Sequence, residues 1–187
     1  MERIKMRFET TPISGMWKIH VERTKDSRGS FGRFFCEKEF ESRSLVSSFC
    51  QWSSSRTLER GTIRGMHLQL PPSEETKLLK CIRGQIYDVV FDLRKNSPSF
   101  LKKTEVFLDE EDDIFLYIPE GCVHGYQCLK NNVEVFYFIS NFYDADRVGG
   151  IRYDDPEMNV RWPLSPTCIS ERDQALPFFF QGLFPDL

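Results

Sequence analysis

Three histidines, His20, His67 and His124, are the scarcest chemically versatile groups in this chain. An imidazole has an unperturbed pKa of about 6.5, so at neutral pH it can take or give a proton, or it can ligate a metal. His20 stands in the alternating run Trp17-Lys18-Ile19-His20-Val21 and reads as structural. His67 lies in a glycine-led run, Gly61-Thr62-Ile63-Arg64-Gly65-Met66-His67-Leu68-Gln69. Strict strand alternation puts 63, 65, 67 and 69 on one side; where that side is the interior of a barrel, His67 and Gln69 point inward and Gly65 leaves room beside them. His124 follows Pro119-Glu120-Gly121-Cys122-Val123, where a turn delivers a histidine onto a new strand. On these residues alone, His67 and His124 read either as cavity groups or as satisfied core imidazoles. By itself Lys77 reads as a solvated strand-edge lysine, and Tyr137, within Val135-Phe136-Tyr137-Phe138, as core.

The elements that must position these groups are short β-type runs separated by turn chemistry. Segment 30–36 alternates imperfectly, and 78–93 holds two β-branched and aromatic runs interrupted by Arg83-Gly84, which predicts a tight hairpin. Asn96-Ser97-Pro98 is a turn, and strands are expected at 104–108, 114–118, 122–129 and 133–142. The only helical window is Ser170 to Leu176, stopped by Pro177. Many short strands with almost no helix predict an all-β sandwich or barrel, and 187 residues suit a single domain over 1–187.

Composition narrows the function classes. Lys and Arg number 25 against 28 Asp and Glu, a formal charge of −3, which argues against a nucleic-acid binder that works by bulk counterion release. No apolar run approaches the roughly 20 residues of a membrane span, and the start has no apolar signal core, so no membrane partner is expected. Cysteines at 36, 50, 81, 122, 128 and 168 include no CxxC pair and are expected to be reduced, mostly packing, in a cytoplasmic protein.

The two histidine segments share an order with the cupin pattern, a glycine-led strand carrying a histidine and, some fifty residues later, PxGxxH. Metal-binding cupins carry HxH in the first segment, and this chain has His67-Leu68-Gln69. Glutamine is a poor ligand for zinc or iron, and Glu74 and Glu75 lie beyond the Pro71-Pro72 turn, so no metal is expected. The resemblance becomes specific through ordered blocks: DSRGSF (26–31), GTIRGMHLQLPP (61–72), TKLLKCIRGQIYDVVFDLR (76–94), LYIPEGCVHGYQ (116–127), EVFYFISNFY (134–143), GGIRYDDP (149–156), RWP (161–163) and SERD (170–173). With these blocks the chain resembles the dTDP-4-dehydrorhamnose 3,5-epimerase family, the sugar-nucleotide branch of the cupin jelly rolls.

That resemblance implies a cupin-type double-stranded β-helix with short terminal helices, no cofactor, and a dTDP-4-keto-6-deoxy sugar as substrate. It implies inversion at C3 and C5 by proton abstraction beside the C4 ketone. His67 would be the base, Asp173 its orienting carboxylate, Lys77 the cation facing O4, and Tyr137 the acid on the opposite face. His124 and Asp88 would support from the cavity wall. Arg28 and Arg64 would meet the diphosphate, Tyr143 would stack on thymine, Gln51 would lie near the nucleotide, and Phe31 would help from a segment (1–40) swapped within a homodimer. Three positions depart from the family pattern: Arg33 and Val148 where glutamates are usual or frequent, and Ser53 where asparagine is usual. They touch the recognition side rather than the proton chemistry. The tail from Phe178 to Leu187 is expected to cover the subunit or its partner.

Overall fold

A computed structural model describes residues 6–187. The first five residues of the 1–40 segment expected to swap lie outside them. Thirteen strands and two short helices occur along the described chain: β1 (Met6–Thr10), β2 (Trp17–Val21), β3 (Arg23–Asp26), β4 (Gly29–Gly32), α1 (Glu37–Glu41), β5 (Gln51–Thr57), β6 (Ile63–Gln69), β7 (Lys77–Arg83), β8 (Gln85–Asp92), β9 (Lys103–Asp109), β10 (Ile114–Ile118), β11 (Cys122–Cys128), β12 (Val133–Ile139), β13 (Val148–Gly150) and α2 (Glu171–Gln174). Six strands form one antiparallel sheet, β1-β2-β10-β7-β12-β5, five form another, β13-β6-β11-β8-β9, and β3 and β4 make a separate hairpin. The two large sheets form a cupin-type jelly roll.

The core between the sheets draws on both. Leu79, Cys81, Leu116, Ile118, Val133 and Val135 come from the first sheet, and Ile86, Val90, Leu108, Tyr126 and Cys128 from the second. Alternate residues of the same strands face outward and are covered a second time. Met66, Leu68, Val89, Phe91 and Val123 lie under Ile151, Met158 and Phe184, so the aromatic tail closes the outer face of the five-stranded sheet of its own subunit. Ile19, Leu78, Phe115 and Tyr117 lie under Phe40 of α1. Strands covered on both faces have no exposed side, which is why β8 and β11 are buried almost end to end, polar residues such as Asp88 and His124 included.

Several sequence expectations need correction. Arg83-Gly84 does not close a hairpin: β7 pairs with β10 and β12, and β8 with β11 and β9. Both edges of β7 are already occupied, so the glycine (φ +80°) carries the chain across to the other sheet. Segment 30–36 is not one strand: β4 ends at Gly32, and Phe34 and Phe35 then turn onto Phe115 and Phe40, with ring centroids 5.2 and 4.8 Å apart. Strands β1, β3, β5 and β13 and helix α1 were not anticipated. All six cysteines are free, but Cys50 and Cys168 are exposed rather than packed. Among the described residues no helix is long and apolar enough to cross a membrane.

The strand that carries His67 contains an irregularity on which the site depends. Register along β6 and β11 runs His67 opposite His124 but Arg64 opposite Tyr126, so three steps on β6 match two on β11. This β-bulge sits at Gly65-Met66 and shifts the alternation by one. Residues 63, 65, 67 and 69 therefore do not simply share a face, and Arg64 and His67 line the same cavity. Gly65 has φ +118°, and a Cβ there would lie 2.6 Å from Gly125 Cα and 2.8 Å from the His124 carbonyl oxygen. No side chain fits that crossing. Gly65→Ala should cost about 2–5 kcal/mol in urea unfolding, from backbone strain plus overpacking. An unchanged midpoint would show that the bulge tolerates a side chain.

Candidate active site

A cavity of about 490 Å³ opens at one end of the sandwich, within the roughly 300–1,000 Å³ typical of small-molecule sites. His67, Lys77, Tyr137 and Asp173 all line it, drawn from β6, β7, β12 and α2.

His67 and Asp173 form a hydrogen-bonded pair, with Nε2 2.7 Å from Oδ1. Helix α2 presents the carboxylate: Ser170 caps it by accepting from the Asp173 amide at 3.1 Å. The other carboxylate oxygen accepts from the Gly65 amide at 3.0 Å, so the bulge that turns His67 inward also supplies a donor to its partner. Asp173 is almost fully buried. Burial pushes its pKa up, yet the hydrogen bonds from His67 and the Gly65 amide prevail and hold it below the ordinary carboxylate value. The carboxylate thus stays ionised against the ring, and Nδ1 is left as the nitrogen free to take a proton.

A second dyad faces the first. His124 lies opposite His67 in the strand register, with Nε2 2.7 Å from Asp88 Oδ2. Asp88 is completely buried, and its Oδ1 has no hydrogen-bond partner among the described residues. Tyr137 is half-buried in the cavity wall. Desolvation, reinforced by the neighbouring Tyr126 hydroxyl and by Asp88, raises its pKa well above the ordinary phenol value, so its proton is held at neutral pH. Tyr126, which donates to Ser55 at 3.0 Å, also lines the cavity.

Lys77 starts β7 and is largely buried, its Nζ 3.0 Å from Glu75 Oε1. Arg64 is anchored by donating through Nε to Thr57 Oγ1 at 2.8 Å, and lines the cavity without a carboxylate partner among the described residues. Gln69 is wholly engaged. Its amide nitrogen donates to the carbonyls of Ser73 and Phe142, and its amide oxygen accepts from the Asp144 amide. It laces loops together.

A smaller recess of about 170 Å³ adjoins the cavity, lined by His67, Glu75, Lys77, Tyr143, Val148 and Arg172 among others. Gln51 does not line either space; its side-chain oxygen accepts from the Tyr143 amide at 2.7 Å, so it fixes the loop that carries Tyr143. Arg28 and Phe31 are not brought to the cavity by their own chain. They project on the β3–β4 hairpin, Arg28 paired with Asp26 at 2.6 Å and Phe31 64% exposed. Of the three departures, Arg33 sits near Glu39 of α1 at 3.7 Å, and Ser53 lies opposite Tyr137 on the neighbouring strand. Val148 walls the recess.

Sequence reasoning missed Arg172, Tyr126, Ser55 and Cys168, all of which line the cavity. Arg172 carried the one available signal, since it adjoins Asp173 in the SERD block.

The family model described as dTDP-4-dehydrorhamnose 3,5-epimerase matches residues 10–181. A curated dTDP-4-dehydrorhamnose 3,5-epimerase from Sinorhizobium fredii is 33% identical over 174 residues, covering 92% of this chain and 89% of the relative. The crystal structure of the Bacillus anthracis dTDP-4-dehydrorhamnose 3,5-epimerase with TDP and PPi bound superposes with a TM-score of 0.89 at 32% identity, covering 94% of this chain and all of that one. The Legionella pneumophila dTDP-6-deoxy-D-glucose-3,5-epimerase in complex with dTDP-4-keto-L-rhamnose gives 0.86 at 29% identity, with 93% of each chain covered. With the fold, the blocks and these matches in agreement, the chain belongs to the dTDP-4-dehydrorhamnose 3,5-epimerase family.

Proposed function

We propose that the protein is a cofactor-independent isomerase that inverts C3 and C5 of dTDP-4-dehydro-6-deoxy-D-glucose to give dTDP-4-dehydro-L-rhamnose. One observation carries the reading: a histidine–carboxylate dyad, a lysine and a proton-bearing tyrosine converge from four elements on one cavity.

Each inversion needs a proton taken from carbon beside the C4 ketone and another returned to the opposite face. His67 takes the first through Nδ1, and Asp173 stabilises the imidazolium that forms. The electrons of the broken C–H bond become an enolate whose negative oxygen is met by the Lys77 ammonium. Tyr137 delivers its O–H proton to the other face. The imidazolium and phenolate then exchange a proton through solvent, which resets both groups. The raised pKa of Tyr137 favours its re-protonation. His124, held by Asp88, polarises the wall beside the sugar. Arg64 and Arg172 bind the diphosphate, and Tyr143, positioned by Gln51, meets the base.

Arg28 and Phe31 act in a second subunit. Their hairpin projects away from its own cavity, and Trp52 and Phe31 leave aromatic surface exposed for a homodimer to cover. We place the enzyme in the cytoplasm, in keeping with its free thiols.

NMR in D2O with the keto-sugar nucleotide should show deuterium entering at both C3 and C5, and His67→Ala should slow that exchange by about 10²–10⁴. Tyr137→Phe should still exchange but without inversion. Deuterium at one carbon alone would make this a single-centre epimerase, and tight binding with no exchange at either carbon would leave a sugar-nucleotide binder. Mixing Arg28→Ala chains with His67→Ala chains should recover activity that neither has alone, since a mixed dimer holds one complete site; no recovery would place Arg28 in its own subunit's site.

The dyad also sets an acid limit on stability. A carboxylate depressed in the folded state adds stability above its unfolded pKa of about 4, and that stability is lost as pH falls through the depressed folded value. Melting curves of the unsubstituted protein should therefore fall more steeply below about pH 4 than those of Asp173→Asn. Parallel curves would mean that Asp173 contributes no such term.

A further inference from the structure

Glu75 has no part in the proton transfers just described, yet it is one of the best-held carboxylates near them. Its side chain is only 10% exposed, and Oε1 lies 3.0 Å from Lys77 Nζ, itself 13% exposed. Pairing at this distance limits the cost of holding both groups away from water and gives each a defined orientation. The backbone around Glu75 is pinned on both sides. Asn141 Nδ2 donates to the Glu74 carbonyl at 3.1 Å, while the Thr76 amide donates to Ser140 Oγ at 2.8 Å and the Thr76 carbonyl accepts from the Ser140 amide at 3.0 Å. One turn earlier, Ser73 Oγ donates to Asp144 Oδ2 at 2.8 Å, so the 70–76 loop is sewn to the 140–144 loop that carries Tyr143. The carboxylate thus enters the recess from a fixed backbone, between His67, Lys77, Tyr143 and Arg172.

A lysine side chain has four rotatable bonds and three donors that point wherever an acceptor lies. A free ammonium at the head of β7 would sample many positions, and catalysis by a cation at a developing oxyanion needs one position, set before the charge appears. From this geometry we infer that Glu75 is a positioning residue for the reaction: it fixes the Lys77 ammonium beside the ring of His67, so that the anion formed on the C4 oxygen meets a preset cation. The role rests on the epimerase reading above. Glu75 acts through Lys77, whose two remaining donors stay available to the substrate oxygen. Reach, rather than negative charge as such, is what the role requires, and that separates it from a purely electrostatic one.

The test is steady-state kinetics and deuterium wash-in with the keto-sugar nucleotide on Glu75→Ala, Glu75→Asp and Glu75→Gln, with dTDP calorimetry and melting curves on each. Glu75→Ala should lower kcat about 10–100-fold, with KM and dTDP affinity within about twofold. Glu75→Asp keeps the charge but draws the acceptor back by one methylene, and should also lose kcat. Glu75→Gln keeps an acceptor at full reach and should stay within about threefold of the unsubstituted rate. Should Glu75→Ala fail to fold, the contrast between Asp and Gln decides. The inference is overturned if Glu75→Ala or Glu75→Asp keeps full kcat, if the loss appears in KM and dTDP affinity instead, or if Gln fares no better than Asp. Absence of deuterium exchange in the unsubstituted protein would overturn the epimerase reading and this inference together, whereas normal exchange with an indifferent Glu75 overturns this inference alone.

Discussion

The hydrogen bond between His67 and Asp173 joins residues 106 positions apart, and much of the architecture serves to make it. His67 rides on an interior strand of its sheet, and Asp173 on a four-residue helix that leads into the C-terminal tail. The Gly65 amide, which the bulge leaves without a strand partner, turns to the same carboxylate. One local fault in the β-ladder thus does two things: it aims His67 and Arg64 into one cavity, and it frees a donor that helps keep Asp173 ionised. The outer layers matter for the same reason. The tail packed on Met66 and Leu68 holds the back of β6, so the front of the strand has a fixed position.

Charge inside the cavity is distributed with a clear division of labour. His67, His124 and Lys77 each have a carboxylate of their own, Asp173, Asp88 and Glu75, at 2.7, 2.7 and 3.0 Å. Pairing confines these groups to set orientations and limits the cost of holding charge away from water. Arg64 and Arg172 are arranged differently, with no carboxylate partner among the described residues. Guanidiniums left open in this way suit a dianionic diphosphate, which supplies the missing counter-charge only when it binds. In the proposed reaction, binding and proton transfer thus fall to different groups.

How far the sequence disclosed this arrangement depended on the range of the interaction. Turn residues at Gly121 and Asn96-Ser97-Pro98, the strands at 114–118 and 122–128, and the Ser170-capped helix are local features and were legible. The Arg83-Gly84 turn was seen, but its outcome was not. Whether a turn closes a hairpin or crosses between sheets depends on which strands, here β10 and β12, occupy the edges of β7. Strand β5, Gln51–Thr57, has three consecutive serines and no apolar alternation, so only its pairing with β12 makes it a strand. The strict alternation read for 63–69 failed at the bulge, whose cause lies on another strand, in Gly125. For the site, spacing could only leave His67 and His124 open. The family resemblance supplied Lys77, Tyr137 and Asp173, and three-dimensional placement added Glu75, Tyr126 and Arg172.

Arg28 and Phe31 mark the limit of what one chain explains. A two-stranded hairpin on its own is marginal in water, and β3–β4 pairs with neither large sheet. Its own Asp26 occupies the Arg28 guanidinium, a surface ion pair of the kind that contributes little and is easily exchanged for a phosphate. An aromatic side chain left 64% exposed at the other end of the same hairpin gains most by being covered. A hairpin outside both sheets, with one cationic and one apolar contact to offer, matches the proposed arm that completes a neighbour's site. In such an arrangement substrate binding and subunit association reinforce each other, because each supplies the contact the hairpin lacks.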